Sequence, residues 1–80
     1  MYFVYVLYSK SHGCSYVGLT MDLDGRLKSH NAGEVRSTKA FVPWERVHHE
    51  GFADRLGARK REKYLKSAAG RRWRKNNLGD

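Results

Sequence analysis

Residues 2–19 read YFVYVLYSKSHGCSYVGL, and this stretch predicts a β-hairpin from which the rest of the fold can be built. Residues 2–8 are β-branched and aromatic, which is typical of a buried strand. The segment SKSHGC supplies turn residues, with Gly13 able to adopt a positive φ, and SYVGL forms a short second strand. The hairpin therefore predicts two adjacent antiparallel strands at the start of the domain.

The first helix is predicted directly after the hairpin. Asp22 is a candidate N-cap for a helix that runs to about Asn31. Leu23 and Leu27 lie one turn apart and mark its core face, and Gly33 provides a stop signal. We therefore expect one amphipathic helix to pack against the hairpin.

The second half of the chain predicts one more strand and two helices. Residues 34–43 form a polar loop, and residues 44–50 alternate loosely and predict a third strand. Residues 53–67 have a helical composition, and residues 69–76 add a short terminal helix. The order ββαβα(α) predicts one mixed α/β (α+β) domain over residues 1–80, with a small antiparallel sheet flanked by helices.

Length and composition restrict the class of protein. The chain has 80 residues, 40% of them hydrophobic, with two Trp, five Tyr and three Phe, so one modest core is expected. The single cysteine, Cys14, cannot form an internal disulfide, which favours a reducing compartment. No apolar run approaches the ~20 residues of a membrane span, and YFVYVLY lacks the basic lead-in of a signal peptide. We therefore expect a cytoplasmic protein without a membrane partner.

The charge of the chain is unevenly distributed. Sixteen Lys and Arg against eight Asp and Glu give a formal net charge of +8. Residues 55–75 contain ten cations and a single acid, Glu62. Such a cluster attracts polyanions, and nucleic acid is the partner that it favours. An anionic membrane surface fits less well, because the basic stretch lacks a broad apolar face with bulky anchors.

Glu62 lies in the middle of the basic run GARKREKYLKS, residues 57–67. On a helix it shares one face with Ala58, Leu65 and Ala69. A carboxylate on an apolar face needs a partner, so Glu62 is either a metal-binding or otherwise partnered group at a cleft, or the i,i+4 partner of a lysine. The rest of the circumference carries cations that are expected to point outward: Arg59, Lys60, Arg61, Lys63 and Lys66.

Four further residues have side chains suited to phosphate chemistry. Arg26 and His30 lie four apart on the first helix, and a guanidinium beside an imidazole suits phosphate binding with proton transfer. The alternative is an exposed pair on a solvated helix face. Tyr5 and Tyr16 lie in the two hairpin strands, where a tyrosine can equally belong to the core. The cysteine and the remaining histidines show no zinc-ligand spacing, so no zinc site is expected.

The two hairpin strands resemble the paired signature of the GIY-YIG nuclease superfamily. VYVL at 4–7 and YVG at 16–18 stand in the order and spacing of that signature. The resemblance continues to about Trp73 through the segments DLDGRLKSHN, STK, PW, REKYLK and GRRW. It is a resemblance to the small stand-alone single-domain bacterial branch, and it implies a three-stranded antiparallel sheet flanked by helices.

The resemblance also implies a phosphodiesterase site that uses one divalent cation, Mg²⁺ or Mn²⁺. Tyr5 and Tyr16 match the tyrosines of the two signature halves, and Arg26 matches the arginine of the first helix. His30 stands where members carry histidine or tyrosine, and Glu62 matches the single metal-binding carboxylate. By this resemblance Arg26 grips the scissile phosphate and Glu62 holds the cation. Which of Tyr5, Tyr16 and His30 is the general base stays open.

Further polar and basic residues are expected to contact the nucleic acid. They lie in the loop before the third strand and on the last two helices: Thr38, Lys39, Arg59, Lys63, Lys66, Arg71 and Arg72. Two positions depart from the family pattern, since Phe3 stands where the first signature has glycine and Leu19 stands where many active relatives have lysine. Neither departure removes a member of the expected catalytic set.

The sequence thus leads to one main hypothesis and two alternatives. The main hypothesis is a divalent-metal-dependent endonuclease that hydrolyses DNA phosphodiester bonds, with structure selectivity in repair or recombination as a further expectation. The first alternative, favoured by Leu19, is a nucleic-acid-binding module with the same fold and little or no activity. The second alternative is RNA as the partner. The oligomeric state is left open.

Overall fold

The computed structural model describes residues 1–79, which contain a three-stranded antiparallel sheet with the strand order β2-β1-β3. The strands are β1 (Tyr2–Ser9), β2 (Cys14–Thr20) and β3 (Glu45–Phe52). The turn between β1 and β2 contains Gly13 at a φ of 62°, so the predicted hairpin and its glycine are confirmed. The long first strand is central because both other strands pair with it.

Three α-helices and one 3₁₀ turn accompany the sheet: α1 (Leu23–Asn31), the 3₁₀ turn (Lys39–Phe41), α2 (Arg55–Lys66) and α3 (Ala68–Leu78). The Asp22 side chain accepts a hydrogen bond from the Gly25 amide at 3.1 Å, which confirms the predicted N-cap. The last two helices begin at residues 55 and 68 because Asp54 and Ser67 cap them. No helix within residues 1–79 is long and apolar enough to cross a membrane. The predicted fold class is confirmed.

The two faces of the sheet pack against different elements. Val4, Val6 and Val17 point to one face and form a buried cluster with Ala58 and Leu65 of α2. The alternation of side chains along a strand sends the intervening residues of β1 to the opposite face. There, Tyr5 and Leu7 pack with Trp44, and the partly buried residues around them include Tyr16, Leu23 and Leu27. The sheet therefore brings both signature tyrosines to the α1 side.

Candidate active site

Tyr5 lies at the centre of the residues that the sequence singled out. It is 2% exposed on the central strand, opposite Gly18 of β2. Its hydroxyl is 2.9 Å from Nε2 of His30, and it accepts a hydrogen bond of 3.4 Å from Nε of Arg26. One phenol thus joins the hairpin to two side chains of α1 that the sequence had placed on one helix face.

Gly18 makes room for this arrangement. A methyl group built on Gly18 would overlap the Cζ and hydroxyl end of Tyr5, so the tyrosine ring lies directly over the glycine. The glycine of YVG is therefore required by a close side-chain approach. The motif pattern alone does not indicate this close approach.

Tyr16 lies on the same face of the sheet as Tyr5 and is half-buried. Its ring centroid is 6.3 Å from that of Tyr5 and 5.1 Å from that of His30. The pKa of Arg26 is raised mainly by its hydrogen bond to Tyr5, and interactions with Tyr16 raise this pKa further. Tyr5, Tyr16, Arg26 and His30 therefore form one cluster.

His30 is fully buried, so the alternative of an exposed histidine on a solvated helix is excluded. Its Nδ1 lies 2.7 Å from Oγ1 of Thr38, and that hydroxyl donates to the Val35 carbonyl at 3.4 Å. The indole of Trp44 donates to the Thr38 carbonyl at 3.0 Å, which fixes the loop that carries this threonine. The loop after α1 thus contacts the imidazole ring of His30 at the nitrogen opposite the one that faces Tyr5.

This geometry corrects the prediction for Thr38. Thr38 is 1% exposed and its hydroxyl is used by His30, so it does not face a phosphate. Its role is to orient an imidazole. Lys39, the next residue, is exposed and stays a proposed phosphate contact. Nothing in the short polar segment STK distinguishes these two environments.

The loop depends on two residues that sequence reasoning left without a role. The Asn31 side chain accepts from the Trp44 amide at 2.5 Å and donates to the Trp44 carbonyl at 3.0 Å. Trp44 is 5% exposed and lies against Tyr16, with ring centroids 6.4 Å apart. Asn31 and Trp44 belong to the segments SHN and PW, but the sequence spacing of these segments does not indicate that the two residues pair across 13 positions.

The buried environment sets the protonation states. Burial raises the pKa of Tyr5 above its usual 10.0, and the hydrogen bond from Arg26 only partly offsets that change. Burial, followed by the charge of Arg26, lowers the pKa of His30 below its usual 6.5. At neutral pH Tyr5 therefore keeps its proton and His30 is a neutral imidazole. We assign the hydroxyl proton of Tyr5 to a bond with Nε2, and the ring proton to Nδ1, which donates to Thr38.

Glu62 lies close enough to the cluster for its charge to contribute to the raised pKa of Tyr5. Its side chain is 15% exposed, as expected for the apolar side of α2. It also pairs with Lys66 at 3.2 Å, the i,i+4 contact that the sequence left as the alternative. The i,i+4 ion pair is therefore present, and it gives this largely buried carboxylate a counter-charge.

Glu62 is the residue that the family resemblance implies as the cation ligand. Within residues 1–79 there is no group of three or more His, Cys, Asp or Glu side chains that could hold a metal ion. A single carboxylate fits a hard divalent cation that keeps several waters and binds substrate oxygens. Lys66, the partner of this carboxylate, is about half exposed. The chemistry of Glu62 therefore fits the ligand position that the family resemblance implies.

A basic cleft of about 430 Å³ surrounds Glu62 on α2 and is lined by Arg59, Lys60, Lys63 and Lys66. The predicted outward direction of Arg61 is wrong. Its guanidinium pairs with Glu50 of β3 at 3.0 Å and lies 5.0 Å from the Trp73 ring centroid. Arg71 and Arg72 are exposed on α3.

Two comparisons with known sequences identify proteins that are similar to this chain. A family model described as the GIY-YIG catalytic domain matches residues 1–77. A UPF0213 protein of Haloquadratum walsbyi is 42% identical over 53 residues, which cover 65% of this chain and 60% of that protein. A UPF0213 protein of Natronomonas pharaonis is 37% identical over 67 residues, which cover 82% of this chain and 78% of that protein. The chain thus aligns with less than two thirds of the first relative's length.

A solved structure is similar to the whole domain. The solution NMR structure of a UPF0213 protein from Bacillus halodurans superimposes with a TM-score of 0.58 at 28% sequence identity. The superposition covers 99% of this chain and 88% of the other. Sequence, fold and family match thus agree with the resemblance drawn from the hairpin, and the chain belongs to the GIY-YIG catalytic domain family, a family of nucleases.

Proposed function

We propose that this protein is a divalent-metal-dependent endonuclease that hydrolyses DNA phosphodiester bonds. The observation that carries the proposal is the convergence on Tyr5, whose hydroxyl contacts Arg26 and His30 and whose pKa responds to Glu62. A cation, a proton acceptor and a carboxylate are the groups that displacement at phosphorus requires. Membership of a nuclease family supports the same reaction class.

The protonation states suggest how the proton of the attacking water moves. Neutral His30 accepts the hydroxyl proton of Tyr5 at Nε2, while the Tyr5 oxygen takes a proton from water. Arg26 stabilises negative charge on the Tyr5 oxygen and on the phosphate. Mg²⁺ or Mn²⁺ held by Glu62 would neutralise the phosphate oxygens and stabilise the leaving oxygen. In this proposal the general base is the Tyr5–His30 pair.

The cations around Glu62 suggest how DNA is recognised. Lysine and arginine side chains on one helix face suit contacts with the sugar-phosphate backbone, which carry no sequence information. We therefore propose recognition by charge and DNA shape, with branched or damaged DNA in repair or recombination as the substrate class. A cytoplasmic location in contact with the cell's DNA is part of the same proposal.

Cleavage of supercoiled, single-stranded and branched DNA with Mg²⁺, Mn²⁺ or EDTA tests the proposal. We expect divalent-dependent nicking, reduced on the order of 100-fold or more in Glu62→Gln. Lys66→Gln is the matched control, because it removes the partner of the same carboxylate while leaving the proposed ligand in place. We expect Lys66→Gln to lose less than about tenfold. Nicking that continues unchanged in Glu62→Gln would show that the site is wrongly assigned.

One observation favours the second candidate function, a nucleic-acid-binding module with little activity. The Glu62–Lys66 pair places an ammonium where the cation is proposed to bind. A binding module would retain salt-sensitive binding to DNA in Glu62→Gln and would cut no DNA form with either cation. The same cleavage assay therefore separates the two functions, and an RNA arm at matched salt distinguishes the nucleic acids.

A further inference from the structure

A second basic cleft lies at the turn end of the hairpin, away from Glu62. Its volume is also about 430 Å³. One wall is formed by the hairpin through Tyr8 and Ser15, which are paired across β1 and β2. The other wall is formed by α3 through Arg71, Arg74 and Lys75. None of these residues belongs to the cluster around Tyr5, and Arg71 is the one that the sequence predicted to contact nucleic acid.

The lining of this cleft suits an anion. Three cations face two hydroxyl-bearing side chains, and no carboxylate is found among its described lining residues. Arg74 is 7% exposed and its Nη1 donates to Oγ of Ser15, so the floor is held in place. Arg71 and Lys75 are exposed and lie one turn apart on α3. Like charges at that spacing destabilise a helix and are relieved by a bound anion.

We propose that this cleft binds a backbone phosphate of the nucleic acid, as a subsite separate from the catalytic cluster. The pair Tyr8–Ser15 is three residues along the strands from the pair Tyr5–Gly18. By the alternation of side chains along β1, Tyr8 lies on the face of the valines and Tyr5 on the opposite face, so the cleft is separate from the catalytic cluster. The identification of the phosphate as part of DNA rests on the proposed function. The anion chemistry of the cleft does not.

Lys10 allows the cleft to be distinguished from a generally basic surface. It lies in the same hairpin turn as Gly13, carries the same charge as Arg71 and is also exposed, but it does not line the cleft. A phosphate bound in the cleft is sensitive to Arg71 and Lys75 and insensitive to Lys10. Unspecific attraction to this basic end of the molecule is equally sensitive to all three.

The first experiment measures binding of a fluorescent DNA duplex by the whole chain in EDTA, where cleavage plays no part. Arg71→Gln and Lys75→Gln are each expected to weaken binding roughly eightfold at about 0.1 M salt, and to reduce the slope of log K against log [salt] by about 0.9. Lys10→Gln is expected to change affinity less than about twofold. Equal losses for Arg71→Gln and Lys10→Gln would overturn the proposal.

The second experiment separates this cleft from the proposed function. Inorganic phosphate is titrated against the chain at constant ionic strength, with chloride as the reference, while amide chemical shifts are followed. Shifts confined to residues 13–15 and to α3, and lost in Arg71→Gln, support the subsite even if no DNA is cut. Shifts that chloride reproduces, or that persist in Arg71→Gln, rule out a built phosphate site.

Discussion

The Tyr5 hydroxyl contacts one proton acceptor and one cationic donor, and the fold fixes the position of both partners. Nε2 of His30 is 2.9 Å away in a fully buried ring, and Nε of Arg26 approaches at 3.4 Å. Both partners come from a nine-residue helix whose start is fixed by Asp22. At the scale of the single residue, the site therefore depends on contacts between side chains that fix the position of the reactive groups.

Thr38→Val tests one of these holding contacts. Valine keeps the shape of the side chain and removes the hydroxyl that receives the Nδ1 proton of His30. We expect cleavage to fall on the order of tenfold to 100-fold, the usual effect of removing an orienting partner. The ¹⁵N shifts of the His30 ring should show a mixture of tautomers. Thr38→Ser, which restores the hydroxyl, should recover both readouts, and an unchanged ring spectrum in Thr38→Val would contradict the assigned role.

Gly18→Ala tests the space beneath the Tyr5 ring. The added methyl overlaps the end of that ring, so either the ring moves or the strands separate. We expect a loss of about 1–3 kcal/mol in the free energy of unfolding by urea. Gly51→Ala on β3 is the control, since its methyl would approach the flexible side chain of Met1 at 2.7 Å and would meet Phe3 only at 3.4 Å. Similar stabilities for the two variants would show that the close approach is unimportant.

At the scale of the elements, α2 has the central position. Its apolar side packs Ala58 and Leu65 against the valines of the sheet, and the charge of its Glu62 contributes to the raised pKa of Tyr5. Arg61 ties the same helix to β3 by hydrogen bonds to both oxygens of Glu50. The metal-ligand candidate and this ion pair are consecutive in the chain, so the helix cannot rotate without disturbing both.

The Glu50 ion pair predicts a dependence of stability on pH. Burial alone would raise the pKa of Glu50, but hydrogen bonds from His48 and Arg61 outweigh it and hold this pKa below its usual 4.5. A carboxyl whose pKa is lower in the folded state stabilises the fold above its unfolded pKa. That stability is lost as the pH falls through the folded pKa.

We therefore expect Glu50→Gln to lower the free energy of unfolding by about 1–3 kcal/mol at pH 7. The difference from the unmodified chain should shrink as the pH is lowered below about 4.5. Urea unfolding at pH 7 and at a pH below about 4.5 measures this difference in the free energy of unfolding. Asp24→Asn removes the 87% exposed partner of Arg46 and should have little effect at either pH. A difference for Glu50→Gln that does not depend on pH would contradict this account of the pair.

Arg61 and Thr38 show why some side chains could not be placed from the sequence. A helical wheel assigned Arg61 to the solvent side, but Trp73 and Glu50 come from other elements and offer a half-buried position to a guanidinium. Thr38 stood beside a lysine in a polar segment, and its burial depends on His30 and Trp44. Both wrong predictions concern contacts between different elements, and such contacts cannot be read from the periodicity of one segment.

At the scale of the whole molecule, the sequence was sufficient for the strands, the helices and the fold class. The β-branched and aromatic pattern of residues 2–8 identified the central strand, and the alternation of that strand put Tyr5 on one face and the valines on the other. In the order β2-β1-β3, this long apolar strand is paired with a neighbour on each edge. The contact of two α1 side chains with one hydroxyl of the hairpin could not be derived from local periodicity.

The rate of divalent-dependent DNA nicking by Tyr5→Phe tests the central claim most directly. The substitution removes one oxygen, the atom that joins His30 and Arg26, and leaves an aromatic ring in the core. Tyr2→Phe on the same strand is the control, since Tyr2 packs with the valine cluster away from the site. The account predicts that Tyr5→Phe nicks DNA about 100-fold to 10,000-fold more slowly than the unmodified chain, while Tyr2→Phe does not differ. Nicking by Tyr5→Phe at the unmodified rate would contradict it.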